Sequence, residues 1–148
     1  MADILHRIAA VNVPIEKFYQ AITSIEGLSA WWTVQTTGNG GEESGKLEFR
    51  FTGGGFDMAV RSLTINEVVE WEVTGGEPEW IGTQIRWQLK QAENATLLLF
   101  RHSGWKEQSE FMHHCSTKWA TFLMSLKAYL ETGKGAPNPH DVNIDEWN

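Results

Sequence analysis

The chain has one cysteine, no concentrated positive charge and no long apolar run, and each shortage removes a class of protein. A single cysteine, Cys115, excludes an internal disulfide, which fits a reducing compartment. No apolar stretch approaches the roughly 20 residues of a membrane span, and the start "MADILHRIAAV" lacks the charged-then-apolar order of a secretory leader. Lysine and arginine total 12 against 19 acidic residues, for a formal net charge of −7, and they form no cluster. Nucleic acids and anionic membranes both need concentrated positive surface, so neither is expected as a partner. No carboxylate pair has the spacing of a hydrolase, and no repeat or linker divides the sequence. The expectation is one cytoplasmic domain over residues 1–148, with residues 133–148 as an extended tail.

What the chain does have is aromatic mass. Hydrophobic residues make up 41% of its 148 positions, enough for a packed core. Eight are tryptophan, whose rings line cores and ligand cavities alike.

Periodicity orders the elements. Residues 4–13 read as a first strand, with Arg7 outward and His6 inward. Pro14 suits the start of a helix, and Ile15, Phe18, Tyr19 and Ile22 form its apolar face. A second short helix covers about residues 25–32 and ends in Trp31 and Trp32, of which one is expected to turn inward and the other towards water or a partner. The segment "TTGNGGEESG" reads as a loop. The period then changes to two. Leu47, Phe49 and Phe51 share a face, as do Phe56, Met58 and Val60. The same holds for Val69, Trp71 and Val73, for Ile85, Trp87 and Leu89, and for Leu98, Phe100 and His102. Strands with one apolar and one charged face belong to an antiparallel sheet wetted on one side. A long helix over about residues 110–131, capped by Ser109 and stopped by Gly133, is the only large cover for that sheet.

The stretch "RHSGWKEQSEFMHHCSTKW" gathers His102, His113, His114 and Cys115, residue types that bind zinc or arm a nucleophile. At 100° per residue, helical geometry sends the last three to different faces, so no metal site is expected. Cys115 falls within the apolar arc that also holds Trp119 and Phe122, where a buried thiol is dulled. His102 ends a strand on the inner face. There it either meets a ligand as hydrogen-bond partner or acid–base group, or bonds a nearby backbone carbonyl. Trp80, in "GGEPEWIG", either covers a cavity or anchors its loop. Glu77, Glu79 and Glu110 could bring carboxylates to such a rim.

Three stretches, "VPIEKFYQAITSIEGLSAWWT", "FRHSGW" and "HHCSTKWATFLMSLKAYLETGKGAP", resemble the START-like (SRPBCC) superfamily, and within it the bacterial branch named after the activator of the heat-shock protein 90 ATPase. The resemblance spans nearly the whole chain. It implies an α+β helix-grip fold, a curved antiparallel sheet around a long C-terminal helix with an apolar cavity between them. Members bind lipids, hormones or polyketides, cyclise polyketides, or assist a chaperone. The leading expectation is therefore a cavity for a small apolar or aromatic, lipid-like or polyketide-like molecule. Its expected lining is Trp31, Phe49, Phe51, Met58, Trp71, Trp87, His102, Cys115, Trp119 and Phe122, with no cofactor. The alternatives are a cyclase or hydrolase working through His102, and a chaperone-associated stress adaptor with an exposed patch including Trp32 or Trp105. A chaperone and a second copy of the chain both stand as candidate partners.

Overall fold

The computed structural model describes residues 2–148. Strand β1 (Ala2–Val11) is followed by helices α1 (Ile15–Thr23) and α2 (Ile25–Trp31), then by strands β2 (Gln35–Gly38), β3 (Lys46–Phe51), β4 (Gly54–Thr64), β5 (Val68–Gly75), β6 (Gln84–Ala92) and β7 (Ala95–Trp105). Helix α3 (Glu110–Thr132) comes last. The strands form one seven-stranded antiparallel sheet in the order β1-β7-β6-β5-β4-β3-β2, so α1 and α2 carry the chain from one edge to the other. Two register breaks in β4, at Asp57/Met58 and Val60/Ser62, bend that strand and help curl the sheet around α3. This is the α+β helix-grip arrangement that the sequence led us to expect.

The alternation along each strand explains the layering. Leu47, Phe49, Met58, Val60, Val69, Trp71, Val73, Ile85, Trp87, Leu89, Leu98, Phe100 and His102 are all buried between sheet and helix. The other face is ionic, with Arg50–Asp57, Arg61–Glu72 and Arg86–Glu70 pairing across strands. These pairs are solvent-exposed and each contributes at most about 1 kcal/mol. Burial of the inner face is the stronger driving force.

Helix α3 begins where Ser109 Oγ accepts the Met112 N–H and ends at Gly133, whose φ of 86° is the left-handed cap conformation. Its buried stripe runs through Cys115, Trp119, Phe122, Leu123, Leu126 and Leu130. Polar contacts lace it to β1: Lys127 donates to the Ala9 carbonyl, Glu131 accepts the Val11 N–H, and His6 bonds the Ser116 carbonyl.

Several local expectations change. The first strand starts two residues earlier than its pattern suggested, and the glycine-rich loop contains the edge strand β2. Strand β7 does not turn after His102 but continues through Gly104, at φ 88°, to Trp105. Trp31 and Trp32 are both buried. They stack at 5.7 Å and 8°; Trp31 anchors through its N–H on the Ala21 carbonyl, and Trp32 lies against Phe49 and Trp119.

The tail is stitched down. Ser125 Oγ donates to the Trp31 carbonyl and accepts the Ala136 N–H. Asn138 exchanges backbone bonds with Trp32 and Val34, and its side-chain oxygen accepts the Thr52 N–H. Gly135 permits this approach, since a Cβ there would lie 2.7 Å from the Ala30 carbonyl oxygen.

Candidate functional site

One end of the space between sheet and α3 is open. A cleft of about 410 Å³ lies there, within the size range of small-molecule sites, roughly 300–1,000 Å³. Its base is Trp32, Phe51, Trp119 and Phe122. One wall comes from the β3–β4 turn with its glycines and Phe56, and from the β5–β6 loop between Gly76 and Trp80. The first turns of α3 supply Phe111, His114, Cys115 and Lys118, and the tail closes the circuit with Asn138, Asp141 and Trp147.

Local chemistry explains how these parts meet. Trp80 stacks on Phe56 at 3.8 Å and 18°, and its indole N–H reaches Cys115 Sγ at 3.4 Å. Ser109 Oγ, while capping α3, also donates to the Glu79 carboxylate, tying the β5–β6 loop to the helix start. On the tail side, Lys118 Nζ lies 2.5 Å from Asp141 Oδ2 and donates to the Val142 carbonyl at 2.6 Å. The same ammonium sits 5.3 Å from the Phe122 ring centroid. His114 Nδ1 bonds Asp145 Oδ2 at 2.7 Å, and Trp147 packs against His114 at 5.4 Å. That hydrogen bond holds the Asp145 carboxyl below its ordinary range.

His102 stands outside the cleft, behind Trp80 and Trp119. It is fully buried, and both ring nitrogens are engaged. The Trp119 indole can only donate, so His102 Nδ1 accepts its N–H, at 3.1 Å. The ring proton is therefore on Nε2, which donates to Thr83 Oγ1 at 2.8 Å, and Thr83 donates to the Trp80 carbonyl. Burial lowers the imidazole pKa to about 3. This closed, neutral network holds Trp80 and Trp119 in place and leaves His102 no free nitrogen for a ligand.

Cys115 does reach the cleft wall, but as a protonated thiol. Burial above all, opposed by the Trp80 hydrogen bond and aided by the Glu79 and Glu77 charges, pushes it up to about 12. A thiol so shifted is a poor nucleophile. The three neighbours in "HHC" diverge: His113 bonds the Ser109 carbonyl on an exposed face, His114 bonds Asp145, and Cys115 turns to Trp80. Among the described residues no group of three or more His, Cys, Asp or Glu is placed to hold a metal ion.

Of the ten residues expected to line a cavity, Phe51, Cys115, Trp119 and Phe122 meet in the cleft. Trp31, Phe49, Met58, Trp71, Trp87 and His102 are off its surface, in interior that their own side chains fill. Sequence reasoning passed over Phe111, Lys118 and the lining role of Phe56, and it turned His114 away from the site. His114 lines the cleft because the tail folds back over that side of α3, an approach that helical angles alone do not reveal. Trp32 and Trp105, expected at an exposed patch, are only 2% and 1% exposed.

Comparison with known proteins supplies the remaining context. Residues 12–131 match the family model described as activator of Hsp90 ATPase homolog 1-like protein. The solved Aha1 dimer of Colwellia psychrerythraea is 46% identical, with a TM-score of 0.84 over 91% of this chain and 100% of that one. Protein SSP2350 of Staphylococcus saprophyticus is 19% identical with a TM-score of 0.74, covering 90% of this chain and 95% of that one. CalU16 of Micromonospora echinospora is 18% identical with a TM-score of 0.75, covering 97% and 74%. At such identities the last two share the fold alone. None of the curated proteins matches the chain.

Proposed function

The chain belongs to the activator of Hsp90 ATPase homolog 1-like family, and we propose that within it this protein binds a small apolar or aromatic molecule. The observation that carries this reading is the open cleft of about 410 Å³ floored by Trp32, Phe51, Trp119 and Phe122. Aromatic walls around a few polar groups are the usual make-up of a ligand pocket. Binding takes place at the open end, because the deeper interior is filled. The cyclase or hydrolase alternative loses support, since His102 is sealed away and Cys115 holds its proton.

A neutral fluorophore, N-phenyl-1-naphthylamine, tests the reading. Its emission should rise saturably with protein, and apolar aromatic competitors should reverse the rise. Linear, unsaturable fluorescence, with no competitor effect, would sink the proposal.

The Colwellia relative is described as a dimer, which supports the further reading that this chain also pairs with itself. Light scattering at micromolar concentration decides that, and a monomer mass would remove it. No helix among the described residues is long and apolar enough to cross a membrane. With its one free thiol, that fits the cytoplasmic setting we assign.

A further inference from the structure

We infer that the cleft selects an organic cation, an ammonium group carried on a small aromatic or apolar body, over neutral and anionic molecules of the same shape. The inference rests on the cleft being a ligand site, and it adds the sign of the charge.

The walls' own charges point that way. Two side chains there carry or can carry positive charge, and each already faces a carboxylate of the tail. Lys118 is held by Asp141 and the Val142 carbonyl, with only 14% of its side chain exposed. His114 spends its Nδ1 on Asp145. An anionic group entering the cleft would lose water and meet basic groups whose charge Asp141 and Asp145 already match, which is unfavourable. The opposite charge meets a different surface. Among the described residues the Glu77 carboxylate, at the rim, is in no ion pair and no side-chain hydrogen bond. Its charge and that of Glu79 extend to the wall, where both act on the Cys115 thiol.

The aromatic faces add to this preference. A ring presents a negative face, and tryptophan is the strongest cation acceptor of the aromatic side chains. Phe51, Phe56 and Phe111 line the cleft half-buried, and Trp147, 48% exposed, lines it as well. The site already contains one cation against an aromatic ring, in Lys118 over Phe122. The net charge of −7 also favours approach of cations from solution.

A matched series provides the test: 1-naphthylmethylamine, 1-naphthalenemethanol and 1-naphthoate at pH 7, each titrated against bound N-phenyl-1-naphthylamine. The amine should bind at least threefold tighter than the alcohol, and the carboxylate should bind weakest. Glu77→Gln, a near-isosteric change on an exposed loop, should reduce the amine's advantage over the alcohol by half or more. One molar sodium chloride should do the same. If the alcohol equals the amine, or if Glu77→Gln leaves the ranking intact, the inference is overturned while the binding site stands. If neither the fluorophore nor any member of the series binds, the reading of the cleft as a ligand site fails, and this inference fails with it.

Discussion

Indoles line both ends of the space between the sheet and α3, yet the ends behave differently. At the closed end Trp31, Trp71, Trp87 and Phe100 pack edge against face, with Trp87 5.3 Å from Trp71 and 5.0 Å from Phe100. Water is excluded there, and His102, in the buried layer behind Trp80 and Trp119, is likewise sealed, neutral and bonded on both sides. At the open end Trp32, Trp80 and Trp119 turn part of their surface to a cleft. There the polar groups are ion pairs supplied by the tail. A histidine shows the contrast: His102 is buried by strands from both sides, whereas His114 sits where the chain's last segment folds over a helix. Residue type does not decide whether an aromatic cluster is core or site. What decides is whether the chain has enough neighbouring elements to fill the space beyond it.

The comparison breaks hardest at the closed end. Trp87→Ala would leave a cavity among Trp31, Trp71, Phe100 and Trp119, and should cost about 3–5 kcal/mol in urea unfolding. A loss under 1 kcal/mol would mean that this end is less tightly packed than described.

The next effect belongs to His102. His102→Leu strands the Trp119 N–H and removes the donor to Thr83 Oγ1, which keeps its own bond to the Trp80 carbonyl, at a cost of about 1–3 kcal/mol near neutral pH. It should also change the acid response. Unfolded, the imidazole protonates near its ordinary 6.5, but in the fold it resists until about 3. Between those values the unfolded chain binds a proton that the folded chain refuses. Stability is therefore full above 6.5 and falls below it by up to about 1.4 kcal/mol per pH unit. Unfolding measured from pH 7 to 4 should show that slope in the wild type and a shallower one in the variant. Equal slopes would contradict the buried neutral imidazole.

At the open end effects should appear in binding before stability. Phe56→Ala removes the ring stacked on Trp80 and should weaken the fluorophore by roughly three- to tenfold, the factor that an aromatic contact of about 0.5–1.5 kcal/mol supplies. Unchanged affinity would remove Phe56 from the site. The smallest effect is expected from His113→Ala, on the exposed face of α3. It should shift stability by no more than about 0.5 kcal/mol and leave binding alone; a larger change would give that face a role not described above.

Much of the fold was legible because period-two alternation is unambiguous wherever one face is buried. Trp71, Trp87, Phe100 and His102 were all assigned the correct face, and the arc of α3 was correct at Cys115, Trp119 and Phe122. The cleft was legible only in part, for a physical reason. Facing inward is a property of one element, whereas lining a cavity depends on which elements fail to meet. Phe49 and Phe51 share a strand face, but only Phe51, at the strand's end, reaches the opening. His114 lies between the buried and exposed faces of its helix, and its surroundings are decided by Asp145 and Trp147, some thirty residues away. Edge strand β2 was hidden because its segment "QTTG" has no apolar alternation to mark it.

The run of stacked indoles has a consequence for spectroscopy. Seven tryptophans, all but Trp147, form a continuous chain with successive ring centroids no more than 6.2 Å apart. Excitation absorbed by any one of them migrates to its neighbours before it is emitted. Ultraviolet emission is therefore a property of the whole array and cannot be assigned to single residues. A quencher settling beside Trp32, Trp80 or Trp119 darkens indoles it never touches, so the protein is an amplified optical reporter of its own cleft.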